Sequence, residues 1–332
     1  MRKLPQLLIA VMISLILCGY SDAAEKRTPQ PHKPTGTTKG AKRGMKTYYM
    51  GRFAIDLPEE FELEIQSHRF QLVEIEEYPN IQDAEQRWKN HLAKIEKLKK
   101  PKGVNKIIIK EQPIDRLGKW SRGVLYYGDS MAADECKWDF LISYGRNTVL
   151  FSLKGLLNKE KVMYAWLKEV ANAYSPFLSQ KKPGNHSFYT QHGVIELPYK
   201  RQESTYARFA GPMGMKLRIE MKEMHRARES KEEGLISRTI ASMATGFTTD
   251  VDIKKVRSTK RTAAGLPGEE QILRTDDGNG EEVDFILEHL GDVDSGERPW
   301  IQITVDTNPD NLDEKIKIWD AALDSFRPAY KR

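Results

Sequence analysis

The chain has 332 residues, of which 39% are hydrophobic and 30% charged, and carries a net charge of +6 with a pI near 9.0. That length allows two domains and that apolar share suffices for real cores, while nothing beyond the N-terminus is long and apolar enough to span a bilayer. The basic surplus sits in residues 24–46, where Lys26, Arg27, Lys33, Lys39, Lys42, Arg43 and Lys46 face Glu25 alone; the rest is nearly neutral, no nucleic-acid motif accompanies it, and a nucleic-acid partner is excluded.

Residues 1–23 combine Arg2 and Lys3, an apolar run from Leu7 to Leu17 and the small residues around Ser21-Asp22-Ala23. They read as a cleaved secretory signal peptide, too short for a membrane helix. The rival reading is a lipoprotein signal acylated at Cys18, against which Leu15-Ile16-Leu17 lacks the expected small residue before the cysteine. Either route leaves Cys136 without an internal disulfide partner, so an exported chain relies on its cores. Cys136 lies in an alternating run, Glu135–Phe140, and reads as a small half-buried side chain rather than a reactive thiol. Residues 24–46, rich in Pro, Gly, Thr and Lys, read as a flexible basic linker, with loose membrane association through the N-terminus as the alternative.

The stretch Gly51-Arg52-Phe53-Ala54-Ile55-Asp56-Leu57-Pro58 opens the folded part, and its ending returns as Val194-Ile195-Glu196-Leu197-Pro198. Both copies alternate apolar residues with an acid and close on a proline, as a strand end does. Two such openings, each followed by similar organisation, point to a duplication. In the first half, strands are expected over Thr47–Ile55, Phe61–Gln66 and Arg69–Ile75, then a helix capped by Asn80 or Asp83 and ended by Pro101. Its stripe is Ile81, Ala84, Trp88, Leu92, Ile95 and Leu98. Strands over Lys106–Glu111, Trp120–Tyr127, Trp138–Tyr144 and Thr148–Leu153 follow, with a hairpin turn at Gly145-Arg146-Asn147. A second helix over Asn158–Tyr174 is expected to carry its stripe at Val162, Ala165, Trp166, Glu169 or Val170, and Ala173.

Lys181-Lys182-Pro183-Gly184-Asn185 reads as the linker between domains over 47–180 and 185–330. The second half is expected to hold a strand over His186–Leu197, an amphipathic strand over Met215–Met221 and a helix over Ser230–Thr245 with Leu235, Ile236, Ile240 and Met243 inward. Four strands follow, over Asp250–Arg257, Glu269–Arg274, Glu282–His289 and Trp300–Asp306, and a final helix over Asn311–Phe326. The elements of the halves correspond in order: Phe140-Leu141-Ile142 answers Phe285-Ile286-Leu287, and Ala165-Trp166-Leu167 answers Ile318-Trp319-Asp320. Strands grouped with helices rather than alternating with them indicate an α+β fold: two related tandem domains, each a mainly antiparallel sheet packed against helices.

No nucleophile elbow, zinc-protease motif, Cys-x-x-Cys or phosphate loop is present. The seven histidines are scattered; His186 and His192, or His225 with Glu229, offer no three-ligand set from one element, so no metal or cofactor is expected. Asp276/Asp277 and Glu281/Glu282 read as solvated turn acids, and Asp56 and Glu196 as edge-strand acids rather than catalysts. This profile suits a protein that binds another macromolecule, not an enzyme.

Lys46 to Pro58 resembles the opening of the immunity proteins that neutralise type VI secretion lipase effectors of the fourth lipase class. Gly234-Leu235-Ile236-Ser237-Arg238 is similar to the family's second-domain helix, and Arg257 to Glu270, ending in Gly265-Leu266-Pro267-Gly268-Glu269-Glu270, to its most specific segment. Pro299 to Thr304 is similar to its following strand, so the resemblance spans about Lys46 to Pro328. The chain departs in having Met50 where a cysteine is common, and Phe285-Ile286-Leu287-Glu288 where many relatives carry tryptophan. The resemblance implies a periplasmic binder that occludes a toxic phospholipase, an α/β-hydrolase gripped at or near its lid by the two domains. The alternative is a periplasmic lipid- or envelope-binding module. Candidate partner anchors are Arg201, Tyr206, Arg208, Phe209 and Met213, in an expected loop after the second Leu-Pro, and Asp276, Asp277 and Asn279 at a hairpin tip.

Overall fold

The computed structural model describes residues 44–80, 83–129, 131–177, 184, 186–224, 234–244, 252–276, 278 and 280–329, with the backbone alone for 242–244. All of them belong to one compact unit.

The first half runs β1 (Met45–Met50), β2 (Phe53–Pro58), β3 (Glu62–Phe70), β4 (Val73–Pro79), α1 (Ala84–Glu96), β5 (Ile108–Pro113), β6 (Trp120–Tyr126), β7 (Glu135–Ser143), β8 (Asn147–Leu156), α2 (Glu160–Ala173) and β9 (Tyr174–Pro176). The second runs β10 (Ser187–Tyr189), β11 (Gly193–Glu196), β12 (Ser204–Ala210), β13 (Lys216–Lys222), α3 (Leu235–Ala244), β14 (Asp252–Ala263), β15 (Leu266–Asp276), β16 (Glu281–His289), β17 (Trp300–Thr307), α4 (Leu312–Ser325) and β18 (Arg327–Pro328). The fold is α+β, and every strand pairing is antiparallel.

Twelve strands form one sheet in the order β14-β15-β16-β17-β13-β12-β3-β4-β8-β7-β6-β5. The order is a palindrome of the two halves about the β12–β3 contact, so the topology repeats as the sequence does. The two openings pair in the same register: Thr47 Oγ1 donates to Asp56 Oδ1 at 2.6 Å across the first hairpin, and Ser187 Oγ to Glu196 Oε1 at 2.6 Å across the second. The repeated acid thus ties its own hairpin together.

Each opening is a hairpin rather than a single strand. The first turns at Gly51-Arg52, where Gly51 has φ +55 and an added Cβ would lie 2.7 Å from Thr205 Oγ1. The second turns at residues 190–192. The expected strand over Arg69–Ile75 likewise breaks into β3 and β4 at Gln71-Leu72, both at positive φ. Glycine-free turns of this kind leave no local signal, because the pairing on either side holds them.

The hairpins are exchanged between the halves. Tyr48, Met50, Phe53, Ile55 and Leu57 pack into the core of the second half, with Ile303, Val305, Phe285 and the α4 residues Ile318, Trp319 and Leu323. Phe188 and Ile195 pack into the core of the first, with Phe140, Phe151 and the α2 residues Leu167 and Val170. Strand β18 closes on β2, and β9 on β11. Carboxylates lock the exchange. Arg52, at the first turn, makes a bidentate pair with Glu203 at 2.7 and 2.6 Å, and both are buried. At the second turn Glu77 accepts from Thr190 Oγ1 at 2.7 Å and from the His192 N–H at 2.9 Å.

The helices pack on both faces of the sheet. Asp83 caps α1, accepting from the Gln86 N–H at 2.7 Å, and Ala84, Trp88 and Ile95 are buried as expected. Ile81 lies outside the described residues. Two expected stripes are displaced. Helix α2 buries Met163, Leu167, Val170 and Ala171, while Val162 is 60% exposed. In α3, Leu235 is buried but Ile240 is 59% exposed. Both helices carry apolar residues on more than one face, and the sheet contacts select among them.

Two outcomes follow. Residues 44–180 and 184–332 expressed apart each lose a core hairpin to the other; singly they should aggregate, and together form a soluble one-to-one complex on size exclusion. A cooperative thermal melt of either fragment alone would refute the exchange. Arg52→Met strands a buried carboxylate and should cost about 3–5 kcal/mol in urea denaturation, with little change for the exposed control Lys46→Met.

Candidate partner-binding face

One face of the sheet carries α2, α4 and both hairpins. Among the described residues, the other carries α1, over β6 and β7 with Val124, Tyr126 and Leu141 beneath, and α3, over β15 and β16. Strand alternation decides the rest. On β12, Thr205, Ala207 and Phe209 point into the core, and Ser204, Tyr206 and Arg208 point to the other side, between α1 and α3. The outward side chains of β4, β3, β12, β13 and β17 together make an open strip across the molecule's centre.

The strip is charged, and its charges are paired across strands. Arg208 Nε donates to Glu64 at 2.8 Å, Arg69 contacts Glu74 at 3.0 Å, and Arg218 pairs with Asp306. Lys222 stands 4.3 Å above the Trp300 ring. Exposed pairs of this kind contribute little stability. They set a charge pattern that a partner must match. At the middle, Ile65 is 41% exposed; it pairs with Arg208 while its neighbour Ser67 pairs with Tyr206, so Ile65 and Tyr206 are diagonal neighbours. An exposed isoleucine beside a tyrosine in a polar field has the make-up of a binding hot spot. Asp284 faces Asp306 across β16 and β17. Burial first, then the Asp306 and Glu282 charges, push its carboxyl up to about 6 against the pull of Arg218.

The expected anchors scatter. Arg201 is exposed, its guanidinium 5.0 Å from the Trp166 ring. Tyr206 and Arg208 lie on the open strip. The segment expected as a loop is the central strand β12, and Phe209 is fully buried in the core, out of a docking partner's reach. Its short alternation of Thr, Ala and Phe with polar residues was the available signal. Met213 is partly buried against the same core in a tight turn at φ 56. Asp276 accepts from the Gly278 N–H at 2.9 Å, on the hairpin tip as expected; Asp277 and Asn279 lie outside the described residues, as does Cys18. Ile65 was missed, because one apolar residue in a polar strand has no pattern.

The most specific segment, Gly265 to Glu270, serves the scaffold. Adjacent strand residues point to opposite faces. Glu269 accepts from the Ile236 N–H at 2.8 Å and so caps the start of α3. Glu270, buried on the other face, accepts from Trp319 Nε1 at 2.9 Å and pairs with Arg257 and Arg261, which also hold Asp320 of α4. The Glu-Glu pair thus docks one helix on each side of the sheet.

Among the described residues, no three His, Cys, Asp or Glu side chains come together to hold a metal ion. His91 contacts the buried Asp139 at 2.9 Å and Tyr126 donates to the same carboxylate at 2.8 Å, a packed polar cluster under α1. Cys136 is buried, and burial pushes its thiol up to about 11, away from reactivity. A cavity of about 20 Å³ beside Arg52 and Glu203 has room for about one water.

The described residues thus form a duplicated α+β scaffold with an open strip across the centre of its sheet. Residues 183–329 match the family described as Tle cognate immunity protein 4 C-terminal domain, in agreement with the resemblance carried by Arg257–Glu270. Among solved structures, the apo immunity protein TplEi of the type VI secretion system of Pseudomonas aeruginosa is 19% identical, with a TM-score of 0.72 over 87% of this chain and 98% of that one. The Tle4–Tli4 complex gives a chain 18% identical with a TM-score of 0.71 over 86% of this chain and 98% of that one. TplEi bound to a peptide designated "L" is 18% identical at 0.66, over 87% and 99%. These likenesses establish the shared fold. No curated protein matches the chain.

Asp284→Asn gives a pH-dependent outcome. With its folded pKa raised to about 6 from 3.8, Asp284 adds stability when protonated and loses it as pH rises through about 6. The variant should therefore be more stable than the parent at pH 7.5, and that difference should shrink toward pH 5, as read by thermal melts across the range.

Proposed function

We propose that the chain is a periplasmic immunity protein that binds and occludes a type VI secretion phospholipase effector, protecting the producing cell and its kin. The observation that carries this reading is the family match over residues 183–329, joined to a fold shared with immunity proteins along nearly the whole described chain. Occlusion requires no catalytic group in the binder, only a rigid complementary surface. The open strip between α1 and α3 supplies one, with Ile65 and Tyr206 central and Arg208 and Arg218 flanking. The effector docks there at or near its lid, and α1 and α3 border it on either side. In this reading the two halves are two tandem domains, 47–180 and 185–330, acting together, and the basic segment 24–46 links them to a leader that delivers the chain to the periplasm. Residues 1–23 have the features of a cleaved signal, with acylation at Cys18 as the alternative route to the same compartment.

The test is co-expression of the chain with the lipase encoded beside it, directed to the periplasm. Protection and co-purification are expected; a lipase that stays toxic and does not co-purify removes that pairing, and repeated failure across neighbouring lipases removes the reading. Within a working pair, Ile65→Asp or Tyr206→Ala should weaken binding at least tenfold, roughly 1.4 kcal/mol, by calorimetry, with the thermal midpoint of the free protein unchanged. Loss of binding on substituting Asp276 alone would instead place the interface at the hairpin tip.

A further inference from the structure

The sheet face opposite the open strip has a feature that docking of a partner on that strip, as proposed above, does not use. The two exchanged hairpins lie side by side there, joined by paired backbone hydrogen bonds between Gly51 and Tyr189 at 2.8 and 2.7 Å. Their inward residues fill the cores. Of their outward residues, Ala54, Tyr189 and Val194, with Ala329, form a small buried cluster. Over it the rings of Tyr49 and Tyr189 stack at 4.7 Å between centroids and 30° between planes, and Phe177 and Tyr189 stack at 6.0 Å and 23°. Tyr49 and Phe177, the two ends of this ladder, are 39% and 48% exposed. Met45, on the same outward side of β1 as Tyr49, is 47% exposed. The three are large apolar side chains that no core explains, on a face where Thr47, Asp56 and Arg327 are already bonded to one another.

What meets this face is set by what leads into it. Strand β1 begins at Met45, directly after a segment whose sequence carries six lysines and arginines against one acid, and Lys46 in the strand adds a seventh. A cationic segment ending at exposed Met and Tyr side chains matches an anionic lipid surface. The cations seek the headgroups, and aromatic rings with a polar edge favour the interfacial layer. Neither signal suffices alone; a polybasic stretch and a few interfacial side chains give reversible attachment when combined. We propose that the outward face of the paired hairpins, through Met45, Tyr49 and Phe177, docks on an anionic membrane and is steered there by residues 24–46. The docking leaves the open strip on the far side of the sheet, turned away from the lipid. A partner on that strip and a membrane on the hairpins are accommodated at once, and the proposal stands whether or not the partner is a lipase.

The experiment is co-sedimentation of the chain from residue 24 onward, so that the leader contributes nothing, with vesicles containing phosphatidylglycerol or with phosphatidylcholine alone. Binding is expected to the anionic vesicles only and to fall with added salt. Tyr49→Ser with Phe177→Ser should lower the bound fraction about tenfold; Gln replacement of the basic residues in 24–46 should do the same and remove the salt dependence. Tryptophan in place of Phe177 reports insertion directly by a blue shift on anionic vesicles, and thermal melts confirm that each variant is folded. Equal binding to both vesicle types, or sedimentation unaffected by the Tyr49 and Phe177 changes in folded protein, would overturn the proposal. Loss of effector binding in those variants would also overturn it, because the face would then belong to the protein partner.

Discussion

The fold depends on a buried ion pair that joins its two halves. Arg52 is contributed by the first turn of the chain and Glu203 by the strand entry of the second half, 151 residues later. The guanidinium engages both carboxylate oxygens and donates further to the backbone carbonyls of His186 at 3.1 Å and Leu197 at 3.2 Å. The Arg52 carbonyl accepts from the Ala329 N–H at 2.8 Å. One residue therefore ties the first turn to His186 and Leu197 on either side of the second hairpin, to Glu203 at the entry of β12 and to Ala329 just after β18. A buried pair of this kind is a weak source of net stability, because both charges are desolvated. Its consequence is positional: with all three guanidinium nitrogens bonded, the two openings fit together in one way.

Duplication and exchange explain each other. A hairpin that packs on its own half would leave each half closed and the central β12–β3 contact as an ordinary interface between domains. Packed on the other half, each hairpin makes the partner's core incomplete without it, so that the shared sheet and the two cores form together. The palindromic strand order follows from repeating one topology about an antiparallel contact. The helices show the same economy. In β15, consecutive glutamates point to opposite faces and each fixes a helix, so α3 and α4 are referenced to one strand rather than to each other.

That rigidity bears on how a partner is held. The halves share hydrogen bonds from β3 to β12 through the centre of the sheet, so the open strip is a continuous surface whose charges have fixed spacing. The exposed edge strand β14 carries Lys254, Lys255, Arg257, Lys260 and Arg261, a charged border that discourages edge-to-edge pairing. The two faces of the sheet differ: one is polar with a small apolar centre, the other carries an aromatic ladder.

The sequence alone determined the α+β class, most strands and helices and the duplication, because period-two and period-three-to-four patterns and a copied Leu-Pro opening are local properties. It determined that no familiar catalytic motif is present. Only the tertiary structure decided which core each opening enters, since Ile55 and Ile195 are equally apolar whichever half receives them. It decided that Tyr206 and Phe209, neighbours in one expected loop, lie on opposite sides of a central strand. It also decided which stripe of α2 is buried, because Val162 and Met163 compete on equal hydrophobic terms until the sheet is in place. Burial is a property of pairs of surfaces, and a sequence read one segment at a time supplies only one of the two.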